Sequence, residues 1–181
     1  SRDSFQINNS PTILYDGELV DVIANVNKGK AYIFGGTYNF KGSISKRWFT
    51  KGSLTYTKGR AFDSNEPLSS IPPLFGRLEL GFEDNDFQAA LNWRFNASKK
   101  REDYNLIEGV DNIEQTPFNL ASNSFYGSPH WSTLNINANY KLTNKLTLFA
   151  NIDNIFDVHY KEFASAISSS GRNFSISLLL K

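Results

Sequence analysis

The sequence predicts an all-β fold in which consecutive strands pair as an antiparallel meander. Apolar and polar residues alternate with a period of two in one segment after another, which is typical of strands with two different faces. Short polar links join consecutive segments and leave no room for the crossover helices that parallel strands need. No window shows the apolar stripe of an amphipathic helix. Together, these observations predict about eight strands.

The alternation is already present in the first half of the chain. It is clearest in residues 87–97, where Phe87, Leu91 and Trp93 fall on one face and polar residues such as Asn92 fall on the other. Three further segments with the same pattern lie at 30–42, 48–58 and 74–83. Each of these segments is therefore predicted to be a strand that separates an apolar surface from a polar one.

The alternation continues toward the end of the chain. It is carried there by residues 131–142, 146–153 and 174–181. In the first of these segments, Leu134 and Ile136 alternate with asparagines, and in the second Phe149 is an exception because it falls among polar residues. A period of two reports alternation and not direction, so it leaves open which face meets water.

The links between the segments alternate in length. Short links lie at 43–47, 83–86 and 143–145, and long links lie at 59–73, 99–130 and 157–173. Residues 1–29 fit a further long loop, with a turn at Asp16 and Gly17 inside it. Short turns at one rim and long loops at the other are the layout of a β-barrel inserted into a membrane from one side.

Aromatic residues near the strand ends also favour a membrane barrel. The chain is 14% aromatic but has a mean hydropathy of −0.40, which fits a wall with one wet face and one apolar face. Amphipathic rings at the ends of lipid-facing strands form two interfacial girdles. The candidate rings are Trp48, Phe49, Phe82, Phe87, Trp93, Phe95, Trp131, Tyr140, Phe156 and Tyr160. A soluble or periplasmic β-barrel that binds a hydrophobic ligand remains the alternative, and a purely structural, adhesin-like β-domain is a third class.

Composition and spacing argue against several functional classes. The formal net charge of +1 lacks the basic excess of a nucleic-acid binder, and the absence of cysteine leaves no thiolate metal site. His130 and His159 are expected at opposite ends of different strands, without metal-ligand spacing. Asp153 and Asp157 flank Asn154 but lack the oxygen ligands of a calcium loop, so a strand-end turn held by asparagine and aspartate side chains is expected there. No residue is marked as an activated nucleophile. We therefore expect no metal, no cofactor and no enzyme activity.

Two motifs near the end of the chain carry a resemblance to a known family. Residues 154–157 read Asn-Ile-Phe-Asp and are followed by Tyr160, while residues 171–174 read Gly-Arg-Asn-Phe and lead into the last strand. Upstream stretches agree in order, among them YDGELVDVIANVNKGKAYIFGG, GSLTYTKGRAF with PLSSIPPLFGRLEL, and GSPHWSTLNINANYKL. In this combination, nearly the whole chain resembles the C-terminal part of TonB-dependent outer-membrane receptors.

The resemblance implies a fold, a location and a set of partners. Members have a 22-stranded transmembrane β-barrel, a plug domain and an N-terminal motif that contacts the TonB complex. Residues 1–181 are expected to be the C-terminal portion of such a barrel in the outer membrane of a Gram-negative bacterium, without the plug domain or the N-terminal strands. The expected partners are membrane lipid, the remaining strands and plug, and the TonB complex through the absent N-terminal region. Strands 30–42 and 174–181 would be edges that other strands cover.

The resemblance further implies active import of a scarce substrate, such as a ferric siderophore, cobalamin or a glycan. Aromatic and polar groups at a barrel mouth suit a small ligand, so the long loops supply the candidate contacts. The aromatic candidates are Tyr104, Phe118, Phe125 and Tyr126, and the arginine candidates, which would attract an anionic chelate, are Arg60, Arg101 and Arg172.

Overall fold

The chain is built from antiparallel β-strands joined by turns and long loops. The computed structural model describes residues 2–4, 12–21, 23–25, 29–105 and 113–181. In chain order, the strands are β1 (Arg2–Ser4), β2 (Thr12–Tyr15), β3 (Glu18–Asp21), β4 (Ile23–Asn25), β5 (Ala31–Ser43), β6 (Trp48–Ala61), β7 (Phe75–Glu83), β8 (Phe87–Asn96), β9 (Lys99–Lys100), β10 (Phe118–Asn119), β11 (Ser124–Phe125), β12 (Gly127–Ser128), β13 (Trp131–Lys141), β14 (Leu146–Asp153) and β15 (Asn173–Leu180).

Seven of these strands form one continuous sheet. They lie in the order β5-β6-β7-β8-β13-β14-β15, and each runs antiparallel to its neighbours. The seven strands coincide with the seven segments that the alternation identifies. The antiparallel meander predicted from the sequence is confirmed.

The pairing register gives the sheet two chemically different faces. Leu80, Leu91 and Ile136 lie in one row across β7, β8 and β13, because Leu91 pairs with each of the other two. We call the side of the sheet in register with Leu91 the apolar face. The next residue, Asn92, lies on the opposite side of the sheet, which we call the polar face. Asn92 pairs with Glu79 of β7 and with Asn135 of β13, so these two residues lie on the polar face as well. Alternation in the sequence therefore becomes a separation between the two sides of the sheet.

The apolar face has no core of its own. Trp93, Ile136 and Ile176 on this face are 42%, 38% and 78% exposed. Four apolar residues are buried in the described part of the chain, and none of them lies on the apolar face: Ala61, Ala90, Tyr104 and Trp131. A soluble barrel would enclose its apolar face, whereas a membrane barrel turns it outward. The open apolar face agrees with the membrane orientation.

Turns and loops lie at opposite ends of the sheet. Residues 44–47, 84–86 and 142–145 are short links at the turn end, while 62–74, 97–130 and 154–172 are long connections at the loop end. The predicted asymmetry is confirmed. The second long connection holds the hairpins β9–β12 and β10–β11 and two 3-10 helices, Arg101–Asp103 and Ile113–Gln115. No helix within the described ranges is long and apolar enough to cross a membrane.

The predicted turn before the sheet is also present. Strands β2 and β3 form a hairpin whose central residues, Asp16 and Gly17, have φ angles of 49° and 84°. Two positive φ angles suit the right-handed twist of a two-residue hairpin, and glycine tolerates them best. A second pairing joins β1 to β4. The rest of the predicted 1–29 loop, and residues 106–112 of the 99–130 loop, lie outside the described residues.

Aromatic rings line the turn end of the apolar face. Trp48, Phe82, Phe87 and Tyr140 come from four neighbouring strands, and successive ring centroids are 5.1, 6.2 and 6.5 Å apart. Toward the loop end, Trp93 stacks on Phe95 at 4.7 Å. Rings at these heights match the interfacial girdles of a lipid-facing sheet.

Three rings assigned to the girdles by their position lie on the other side. Phe49 and Trp131 are in register with the polar face, and Tyr160 packs on Trp131 with ring centroids 4.2 Å apart. Phe49 covers Gly81, where any Cβ would overlap its ring. For Phe49 and Trp131 the reason is parity, because each is an even number of residues from polar positions of its own strand, such as Asn135 for Trp131. Tyr160 belongs to the connection after β14, which brings it onto Trp131.

Side chains of the Asn-Ile-Phe-Asp motif close the end of β14. Asn154 is buried with a φ of 51°, and its Nδ2 donates to the carbonyl oxygens of Val158 at 2.9 Å and Ser170 at 3.2 Å. Asp157 Oδ1 accepts a hydrogen bond of 2.7 Å from the backbone N–H of Arg172. These bonds tie the two ends of the last long connection together. The predicted turn held by asparagine and aspartate side chains is confirmed.

Strands β5 and β15 are the edges of the sheet, as expected for 30–42 and 174–181. Within the described residues, each of them pairs with one neighbour in the sheet. An edge strand carries unpaired N–H and C=O groups, which lipid cannot satisfy. Further strands must therefore cover both edges in a membrane.

The two faces should differ in how much stability they lose when the same charge is added. We expect Leu91→Arg on the apolar face to destabilise the assembled barrel by about 2–4 kcal/mol, because it places a cation in lipid. The neighbouring Asn92→Arg on the polar face should cost about 1 kcal/mol, the value of one side-chain hydrogen bond. Urea titration of both variants in lipid vesicles measures the difference. Equal losses would contradict the assignment of the faces.

The Asn154 turn should be sensitive to both its backbone and its side chain. Asn154→Gly keeps the positive φ but removes the side-chain hydrogen bonds, and we expect a loss of about 2 kcal/mol. Asn154→Ala also adds backbone strain and should lose about 1 kcal/mol more. Asn65→Ala is the matched control, because Asn65 has a φ of 55° in an exposed turn. Thermal unfolding of the three variants in detergent measures their losses of stability. A loss for Asn65→Ala as large as that for Asn154→Ala would contradict the prediction.

Candidate functional site

Side-chain hydrogen bonds run from strand to strand across the polar face. The pairs are Thr37 with Thr55 at 2.9 Å, Lys51 with Glu79 at 2.9 Å, Gln88 with Asn139 at 3.1 Å, Asn92 with Asn137 at 2.6 Å and Asn151 with Ser175 at 3.1 Å. So many amides and charges would be costly against lipid or in a dry core. The polar face is therefore suited to line a water-filled space.

Two arginines lie side by side near the loop end of the polar face. Arg77 of β7 is directly opposite Arg94 of β8. Like charges in this arrangement repel each other. Glu162 from the last long connection offsets that repulsion, since its Oε1 lies 2.8 Å from the Nη2 of Arg94. The ion pair draws the connection over the polar face.

Aromatic stacking holds the same connection in place. Tyr160 packs on Trp131 at 4.2 Å, and the guanidinium of Arg94 lies 5.8 Å from the centroid of the Trp131 ring. Trp131 is buried, whereas the side chains of the Arg94–Glu162 pair are 46% and 51% exposed. An exposed ion pair contributes at most about 1 kcal/mol. The stack is therefore expected to anchor the connection more firmly than the ion pair.

The three long connections meet at one lysine. Lys99 is 4% exposed, and its ammonium donates a 2.8 Å hydrogen bond to the carbonyl oxygen of Ile71 in the first connection. The same ammonium lies 4.4 Å from the ring centroid of Tyr104 and 4.5 Å from that of Phe163, which belongs to the last connection. Cation–π contacts of this kind are strongest when water is excluded. We call this group the lysine junction.

A cavity of 370 Å³ opens between the second and third long connections. One wall is formed by Tyr104 with residues 115–117 and 128–131, and the other by residues 159–165. The lining therefore includes both histidines, His130 and His159. The two histidines belong to different connections and line one cavity because both connections fold inward at the loop end.

The cavity has few candidate metal ligands and one unsatisfied donor. The described part of the chain contains no group of three or more histidine or acidic side chains arranged to hold a metal ion. The indole Nε1 of Trp131 is shielded from solvent and has no hydrogen-bond partner among the described residues. An unpaired buried donor of this kind costs about 1–3 kcal/mol.

The four aromatic residues predicted as ligand contacts do not share one site. Tyr104 is buried, and its hydroxyl donates a 2.9 Å hydrogen bond to the Oγ of Ser128. Phe118 and Phe125 pack on each other across the β10–β11 hairpin at 5.0 Å. Tyr126 is exposed and lines a second cavity that lies against a different part of the loop.

The three predicted arginines are also separate. Arg60 donates a 2.6 Å hydrogen bond to the carbonyl oxygen of Asn65, and its Nη2 lies 3.6 Å from the carboxylate of Asp103. Arg101 and Arg172 are exposed. Of the seven predicted residues, Tyr104 is the one that lines the 370 Å³ cavity. The ligand-contact role of all seven stays a prediction.

Sequence reasoning misses most of the cavity wall. Because Trp131 is near a strand end, the sequence pattern assigns it to an aromatic girdle. In the structure it lies on the polar face, since it is an even number of residues from Asn135 and Asn137. Parity could therefore have identified this residue. Nothing in the sequence of residues 159–165 shows that they fold back onto β8, because the Arg94–Glu162 contact joins positions 68 residues apart.

Comparison with known protein families gives one match. Residues 2–155 match the sequence model of a family described as TonB dependent receptor-like, beta-barrel. This match covers most of the chain, including six of the seven long strands. No curated protein matches the chain in sequence.

Solved structures of several outer-membrane proteins share the fold. The copper transporter OprC aligns with 90% of this chain at 25% identity and a TM-score of 0.67. The ferripyoverdine receptor of the outer membrane of Pseudomonas aeruginosa aligns with 83% of the chain at 18% identity and a TM-score of 0.60. The ferric yersiniabactin uptake receptor FyuA from Yersinia pestis aligns with 83% of it at 14% identity and a TM-score of 0.58.

The chain corresponds to a minor part of each of these structures. It spans 24% of OprC, 19% of the ferripyoverdine receptor and 23% of FyuA. The latter two have less than 25% identity and therefore support the fold alone. The structures are 22-stranded barrels, and the seven-stranded sheet covers part of such a barrel.

The stack and the ion pair can be compared by single substitutions. We expect Tyr160→Ala to increase protease cleavage within residues 157–172 about tenfold, because a ring contact and its buried area are lost. Glu162→Gln should increase cleavage less than about fivefold, since the ion pair is exposed. Limited proteolysis of the detergent-solubilised barrel measures both rates. A larger effect of Glu162→Gln would reverse our ranking of the two contacts.

Proposed function

Because the chain belongs to the family of TonB-dependent receptors, whose members are outer-membrane proteins, we propose that it serves in the import of a scarce substrate. Residues 1–181 would form the C-terminal portion of the barrel wall, with other strands covering β5 and β15. The plug domain, the TonB complex and membrane lipid would be its partners. The substrate would be a ferric siderophore, cobalamin or a glycan, as expected from the resemblance.

The two faces of the sheet support this proposal most directly. The apolar face is open and carries aromatic rings at both ends, as a lipid-facing wall requires. The polar face is hydrogen-bonded from strand to strand and suits the boundary of a wet passage. A soluble barrel around a hydrophobic ligand would need the reverse arrangement, and the family match gives that alternative no support.

The loop end supplies the surface that would meet substrate first. The lysine junction and the Trp131–Tyr160 stack fold two long connections inward over the polar face. Substrate would bind between these connections and then pass along the polar face after the plug is displaced. This part of the chain would bind and guide substrate without covalent chemistry. The copper transporter OprC, which is 25% identical to this chain over the aligned part, supports a metal-containing substrate.

Uptake by cells tests the proposal. The complete receptor that contains this chain would be expressed in a host lacking its own siderophore, cobalamin and copper receptors, with and without functional TonB. We expect one labelled substrate among ferric siderophores, copper complexes, cobalamin and oligosaccharides to accumulate at least about tenfold more with TonB, since transport against a gradient needs coupling energy.

The control for this experiment is Asn92→Arg, which should assemble and keep the apolar face intact. Leu91→Arg should reduce the amount of assembled receptor and the uptake in proportion. Accumulation that is equal with and without TonB would overturn the proposal. Recovery of the chain in a detergent-free soluble fraction would overturn it as well.

A further inference from the structure

The apolar face changes character at the loop end of β6, where it carries two cations. Lys58 and Arg60 are an even number of residues from Thr50, which pairs with Leu80 of the apolar face. Along β6, ten positions separate Lys58 from Trp48, which belongs to the row of rings at the turn end. A tilted strand rises about 25 Å over that length, which is the height of the apolar band of a membrane barrel. Lys58 therefore lies at the level of the lipid headgroups on the loop side.

Aromatic rings surround Lys58 at this level. Phe34 of β5 is directly opposite Lys58, and its ring centroid lies 6.3 Å from that of Tyr56 and 6.2 Å from that of Tyr32. The ring of Phe62 extends the group, with its centroid 5.3 Å from that of Tyr32. We call these four rings the loop-end ring cluster. Amphipathic rings concentrate at the membrane–water interface, so the cluster supports the same height for Lys58.

The charge of Lys58 is not neutralised within the described part of the chain. The residue is exposed, and its ammonium has no ion-pair or hydrogen-bond partner among the described residues. Arg60 differs, because it donates to the carbonyl oxygen of Asn65 at 2.6 Å and lies 3.6 Å from the carboxylate of Asp103. A lysine at the edge of the hydrocarbon extends its ammonium to the headgroups. Lys58 is therefore placed to meet a negative group of the membrane itself.

A second lysine lies further out on the same side of the sheet. Lys30 continues the pairing of β5 with β6, since its carbonyl oxygen accepts a 2.8 Å hydrogen bond from the backbone N–H of Phe62. Its side chain is exposed. The carboxylate of Asp63 lies beside Gly29 and offsets part of this charge. Lys58, nearer to the hydrocarbon, therefore carries more of the attraction for an anion than Lys30 does.

We propose that Lys58 and the loop-end ring cluster bind a lipid whose headgroup carries a phosphate. The ammonium of Lys58 donates a charge-assisted hydrogen bond to the phosphate, and the rings contact the adjoining part of the acyl chains. Long loops of such barrels face the outside of the cell, so the lipid belongs to the outer leaflet. The inference goes beyond the import function, because it concerns the lipid side of the wall and not the path of a substrate.

Two matched lipids test the preference for phosphate. The complete receptor in a maltoside detergent, which has no phosphate, receives photoactivatable phosphatidic acid or the diacylglycerol with the same chains. Mass spectrometry then maps the labelled residues. We expect residues 54–62 to be labelled at least about tenfold more by phosphatidic acid, since its phosphate gains a charged hydrogen bond. Equal labelling of these residues by the two lipids would overturn the proposal.

Substitutions test the role of the lysine. Lys58→Gln should lower the labelling of residues 54–62 by phosphatidic acid about fivefold, the factor for one lysine near a charged lipid surface, and leave labelling by diacylglycerol unchanged. Lys58→Arg should restore most of the loss. The control is Lys41→Gln, because Lys41 is exposed and in register with Lys51 on the polar face, and it should change neither labelling. Unchanged labelling of Lys58→Gln by phosphatidic acid would overturn the role of Lys58.

Inorganic phosphate distinguishes a lipid site from a site for a free anion. At constant ionic strength, an excess of inorganic phosphate should change the labelling by phosphatidic acid less than about twofold, because the rings also hold the acyl chains. Loss of the labelling would indicate a free-anion site and overturn the assignment to lipid. These measurements use neither TonB nor a transported substrate, so they fail separately from the uptake experiment.

Discussion

Hydrogen bonds between neighbouring strands are the interaction on which the rest of this chain depends. In hydrocarbon, no water is present to satisfy a backbone N–H or C=O, so each strand must pair along its length. Pairing fixes the register, and the register assigns every side chain to one of two faces. The row of Leu80, Leu91 and Ile136 and the row of Glu79, Asn92 and Asn135 follow from the same set of bonds. Lipid contact on one side and water on the other are therefore consequences of one pattern of pairing.

Much of the fold can be predicted from the sequence because period-two alternation is a local property. The alternation in residues 87–97 and 131–142 predicts two strands with two different faces without reference to any distant contact. The structure has β8 and β13 there. Loop lengths are equally direct, since they are the gaps between such segments. The exceptions are instructive. Phe49 and Trp131 are aromatic and close to strand ends, but parity places both of them on the polar face.

The candidate site is harder to predict because its contacts join positions that no local pattern relates. Lys99 meets Phe163, and Arg94 meets Glu162, only after the last long connection has folded over the polar face. The sequence predicts a turn held by the side chain of Asn154, and the hydrogen bonds of Asn154 form it. The direction in which the following residues leave that turn could not be predicted. Selecting the aromatic residues of the loops therefore identifies Tyr104. It does not reveal that His130, Trp131 and His159 line the same cavity as Tyr104.

The lysine junction restricts how the mouth of the barrel can diversify. Because Ile71, Tyr104 and Phe163 contact one ammonium, the bases of three loops behave as a single cooperative unit. A length change near any one base would displace the other two, whereas a change at an outlying hairpin such as β10–β11 would not reach the lysine. New specificities are thus expected to arise by remodelling the distal tips, while the spacing of the bases stays constant.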